Sequence, residues 1–100
     1  LAALESSSVA GAETIAIDGL SFIASDEHLF SRFCGITGLT AGEMRAAASE
    51  PGFLAGVLDF ILAHEPTLMA FSDESGHAPQ AIGAAARQLP GATPHGWDHP

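Results

Sequence analysis

The chain has 100 residues, with 12 acidic side chains against three arginines, no lysine, and a formal charge of −9. Nucleic acids and anionic membranes recruit Lys and Arg to neutralise phosphate, so this balance argues against either as a partner. Hydrophobic residues make up 47% of the chain but 19 of them are Ala, which leaves material for one compact core and not two.

A single cysteine, Cys34, excludes an internal disulfide framework and a Cys-rich zinc site. The longest nearly apolar run, Pro51–Ala63, is interrupted only by Asp59 and falls short of the ~20 residues that cross a bilayer as a helix. The first residues carry Glu5 and no basic group, unlike a secretory leader. The expectation is a cytoplasmic protein. Residues 1–11 are expected to be an unordered or appended segment, 12–89 a single helical domain, and 90–100 a flexible tail rich in Pro and Gly.

Strand signals are missing: there are two Val, no Tyr, and no sustained alternation. Helix signals recur instead. Ile15, Ala16, Gly19, Leu20 and Ile23 form a helical stripe. Ser25 is the expected N-cap of a second helix, on which Phe30, Phe33, Cys34 and Thr37 share a face and after which Gly38 suits the left-handed C′ position. Thr40 and Glu43 match a capping box, opening a helix expected to turn Met44, Ala47 and Ala48 inward. Pro51 suits the first position of a fourth helix, whose stripe is Phe53, Leu54, Val57, Leu58 and Ile61. Pro66 opens a fifth helix that Gly76 ends, and Pro79 opens a sixth with Ile82, Ala85, Ala86 and Leu89 at helical spacing. The expected fold is all-α: six short helices in a compact bundle.

An offset of 38 residues, the spacing from Gly38 to Gly76, superposes 13–50 on 51–88 without a gap. Leu20 falls on Leu58, Phe22 on Phe60, Ile23 on Ile61 and Phe33 on Phe71. The pattern predicts two pseudo-repeated three-helix units packed through the first and fourth helices.

The segments Leu20–Phe33, Thr37-Gly38-Leu39, Arg45-Ala46-Ala47, Glu50-Pro51-Gly52-Phe53-Leu54 and Val57-Leu58-Asp59-Phe60 carry a resemblance. Through them the stretch from Leu20 to Leu89 is similar to an uncharacterised bacterial family, domain of unknown function 3572. What the resemblance implies is a compact all-helical protein with no established activity, so it brings no catalytic residues.

No nucleophile elbow, phosphate loop or dinucleotide fingerprint is present. Cys34 lies on an apolar face in the C-terminal half of its helix, where the dipole disfavours a thiolate. His95, Asp98 and His99 are metal-ligand types on a tail that offers no preformed cage. His28, His64 and His77 sit near helix ends without zinc-site spacing. Phe33 to Ser49 has helix–turn–helix spacing, yet Glu43, Arg45 and Ser49 offer only one basic group to DNA. No cofactor is expected.

Two features point to protein binding. The fourth helix is apolar round more than half its circumference, a pattern of a central helix or of one shared with another chain. Asp73 and Glu74 place negative charge in the last turn of the fifth helix, against its dipole. The function read from the sequence is a non-enzymatic interaction module that binds an unidentified protein partner or forms a homodimer, using Phe53, Leu54, Val57, Leu62, Asp73 and Glu74. The alternatives are a small hydrolase-like or ligand-binding enzyme built on Asp59, His64 and Glu65, and a helix–turn–helix regulator.

Overall fold

A computed structural model describes residues 2–50 and 52–90, with their side chains from residue 11 onward. These residues form six α-helices and no strand: α1 (Ala2–Ala24), α2 (Glu27–Thr37), α3 (Ala41–Ala47), α4 (Phe53–Leu62), α5 (Glu65–Ser75) and α6 (Pro79–Gln88). α1 packs along α6 and α4, and α4 and α6 pack on each other. α2 leans on α1, and α5 on α4.

α1 begins well before the expected boundary at residue 12. Ala2, Ala3, Leu4 and Glu5 are strong helix formers, and extending a helix is far easier than starting one. From Ala12 onward the helix buries Ala12, Ala16 and Ile23, while Ile15 and Leu20 pack at the margin of the core. The expected tail from 91 to 100, with His95, Asp98 and His99, lies outside the described residues, as does Pro51.

The N-cap of α2 is Asp26, one residue after the expected Ser25. Asp26 Oδ1 accepts from the N–H groups of His28 (2.9 Å) and Leu29 (3.1 Å), satisfying two donors that the first turn leaves open. Ser25 turns back to donate to the Phe22 carbonyl at 2.9 Å. The capping box of α3 forms as its spacing predicts: Glu43 N–H donates to Thr40 Oγ1 at 3.2 Å and Thr40 N–H to Glu43 Oε1 at 2.9 Å. α3 nevertheless buries none of its side chains. Met44 and Ala47 are half-buried and Ala48 is exposed, so its inward face is weaker than expected. Seven residues give little area to pack.

α4 starts at Phe53, two residues after the expected Pro51, because Gly52 holds a left-handed φ of 90°. Its stripe forms the centre of the core, with Ala55, Val57, Leu58, Phe60 and Ile61 all buried. α6 adds Ile82, Ala85 and Ala86, followed by Leu89. No buried side-chain nitrogen or oxygen among the described residues lacks a hydrogen-bond partner.

Several local geometries recur at the 38-residue offset. Gly38 and Gly76 both adopt left-handed C-caps, with φ of 78° and 83°. Their N–H groups donate to the carbonyls of Cys34 (2.8 Å) and Ser72 (2.9 Å). Thr37 and Ser75 donate their hydroxyls to Phe33 and Phe71 carbonyls at 2.8 and 2.7 Å, and accept from Leu39 N–H at 3.3 Å and His77 N–H at 3.1 Å. The third helices differ: α3 is peripheral, whereas α6 is part of the core. Replacing Gly38 or Gly76 by Ala is expected to cost ~1–2 kcal/mol each, since a Cβ opposes the left-handed conformation. The two losses should add in thermal or denaturant unfolding, because a Cβ at either site meets nothing within 4 Å and strains only its own turn.

Candidate functional site

Two grooves open on the surface of the described residues, one between α2 and α4 and one between α1 and α5. The α2/α4 groove follows from how α2 is anchored. Phe33 is buried and meets Phe60 edge-on with ring centroids 5.3 Å apart, and Phe53 at 6.0 Å. Arg32, the preceding residue, therefore emerges at the groove edge and lays its guanidinium 5.6 Å from the Phe60 centroid, within the range of a cation–π contact. Ile36, one turn on, is 65% exposed. With Asp59, Ala63 and His64 along the α4 side, these residues enclose about 440 Å³, the size of a pocket for a small ligand or a large side chain.

The α1/α5 groove, of about 460 Å³, has a different character. Phe22 and Phe71 form its aromatic part, with centroids 5.3 Å apart. Asp18, Ser21 and Ser25 from α1 face Glu74 and Ser75 from α5. His77, just beyond α5, donates Nε2–H to Asp18 Oδ2 at 2.9 Å and stands 6.0 Å from the Phe71 ring. Ser72 donates to the His77 carbonyl at 2.7 Å. This set ties the loop after α5 to the middle of α1.

The structure separates the residues expected to form an interaction surface. Val57 has no exposed surface and serves the core alone. Its place is set by α1: Gly19 lets the backbone come close to Val57, Leu58 and Ile61. Phe53, Leu54 and Leu62 are half-buried and pack against the core. Asp73 and Glu74 are both exposed in the last turn of α5, but only Glu74 lines a groove. Of the expected acid–base set, Asp59 and His64 share the α2/α4 groove, and Glu65 does not line it. His64 Nδ1 lies 2.8 Å from Thr67 Oγ1. His28 is exposed in the first turn of α2, and Cys34 is half-buried. Glu43, Arg45 and Ser49, read as helix–turn–helix positions, are exposed.

Among the described residues, the large apolar side chains left exposed are Ile17, Ile36 and Met69, none of which belonged to the expected surface. Ile36 stands three residues after Phe33, on the same side of α2, and extends that face beyond the stretch that α4 covers. No group of three or more His, Cys, Asp or Glu suited to a metal ion occurs among the described residues. No single helix among them is long and apolar enough to cross a membrane; α4 and α5 together have the length but turn by 110° at their junction.

No curated protein and no solved structure matches the chain. The family described as Protein of unknown function (DUF3572) matches residues 9–92, which takes in α1 from Val9 onward and the whole of α2 to α6. The chain thus belongs to that family, an uncharacterised one whose fold is here six helices carrying two dissimilar grooves.

Proposed function

We propose that this protein is a non-catalytic interaction module that takes an apolar side chain of a partner polypeptide into the α2/α4 groove. The observation that carries this reading is Ile36, 65% exposed beside a floor of Phe33 and Phe60. A large aliphatic side chain left in water next to an apolar concavity marks a contact site far better than one scattered alone. Arg32 and Asp59 on the groove edge supply polar groups that would orient an incoming chain.

Ile36→Glu tests it. The site is exposed, so circular dichroism should be unchanged, while binding of anilinonaphthalene sulfonate should fall several-fold. Where the partner is a second copy, light scattering of the wild type should show a dimer that the variant reduces to a monomer. A variant that keeps full dye binding and the same mass would count against the groove. A hydrolytic reading has in its favour that Asp59 and His64 line one groove. Ester turnover abolished by Asp59→Asn would displace the interaction reading.

A further inference from the structure

The geometry points to a second recognition site: we infer that the α1/α5 groove receives an arginine side chain from a partner polypeptide, stacked on Phe22 and held between Asp18 and Glu74. The α2/α4 groove already contains such a group, the Arg32 guanidinium over the Phe60 ring. The 38-residue offset carries that site onto this one. Phe60 falls on Phe22, Phe33 on Phe71, Thr37 on Ser75 and Ala63 on Ser25, and both Phe pairs have centroids 5.3 Å apart. Both pairs also join the first helix of one half to the second helix of the other.

The differences between the grooves are complementary. Arg32 falls on Ala70, an exposed methyl, and no cation lies over Phe22 among the described residues. Where the apolar groove has Ile36 and Gly56, this one has Glu74 and Asp18. One groove thus has a cation over its ring, and the other has two carboxylates in its lining. His77 holds Asp18 in position through Oδ2. A π face with carboxylates beside it suits guanidinium, which is planar, weakly hydrated and able to stack while donating forked hydrogen bonds. The chain has no lysine, and its other arginines, Arg45 and Arg87, sit on helices that do not line the groove. A guanidinium over Phe22 would therefore come from a partner, and the net charge of −9 favours its approach.

The test is titration of the isotopically labelled full chain with acetyl-Gly-Arg-Gly-amide, followed by amide NMR at low salt. Saturable shifts are expected at Ser21, Phe22 and Glu74, with none from the same peptide carrying citrulline. Glu74→Gln should weaken binding about two- to fivefold, the range of an exposed charge pair, and ~1 M salt should remove most of it. Ala70→Arg, at an exposed site, should place an internal guanidinium over Phe22 and abolish the shifts while the helix content stays the same. Shifts spread equally over Glu43 and Glu50, or a lysine peptide binding as well as the arginine one, would overturn the proposal. So would an Ala70→Arg chain that binds the peptide like the wild type.

Discussion

Phe33→Ala is expected to destabilise the protein by ~3–5 kcal/mol, the range for removing a fully enclosed aromatic side chain. The ring is 1% exposed and meets Phe53 and Phe60 edge-on, so its loss removes both contacts and leaves a cavity that helices cannot easily close. Since a domain of this size holds ~5–15 kcal/mol in all, a substantial unfolded population should appear at modest denaturant. Urea unfolding followed by circular dichroism measures it. Phe53→Ala, at a half-buried position, should cost clearly less. A loss under ~1 kcal/mol for Phe33→Ala would mean that α2 is not anchored on α4 by this ring.

Gly19 should separate two substitutions sharply. A Cβ there would lie 2.9 Å from Ile61 Cδ1 and 3.4 Å from Leu58 Cδ2 and Val57 Cγ1. The closest atom is the mobile end of a side chain, and Ala gains ~1 kcal/mol over Gly in a helix interior, so Gly19→Ala should be close to neutral. Gly19→Leu has no such escape. Its further carbons meet three core side chains of α4 at once, and the overpacking should cost ~3 kcal/mol. Equal stability of the two variants, measured by the same unfolding experiment, would show that α1 and α4 do not approach each other at this point.

Where local chemistry decides, residues could be read directly. The capping box at Thr40 and Glu43, the glycine stops at 38 and 76, and the proline starts of α5 and α6 all rest on contacts within about four residues of chain. The slips were also local. Ser25 and Asp26 are both good caps, and only the Asp carboxylate reaches two N–H groups while the Ser hydroxyl turns back on its own helix. Pro51 suits a helix start, yet the left-handed Gly52 places the start at Phe53.

The site was legible only in fragments. Asp59, His64, Glu65, Asp73 and Glu74 were singled out as ionisable candidates, although Glu65 and Asp73 line neither groove. Arg32 and Ile36 were not, because neither breaks a local rule. Val57 and Ile36 are alike in kind, each an apolar residue on an amphipathic helix, and periodicity alone cannot tell which one a neighbour will cover. α1 covers Val57, whereas Ile36 is left 65% exposed.

From its order of residues alone, this protein is committed to helices, to where most of them stop, and to a strongly acidic charge, since each depends on side chains a few positions apart or on simple counting. Tertiary packing decided the rest. It set Phe22 against Phe71 and Phe60 against Phe33, hid the centre of α4, and left two differently lined grooves. Those contacts join residues some 27 to 49 positions apart, and exposure at such distances is fixed by how whole helices cross, not by any repeat along one of them.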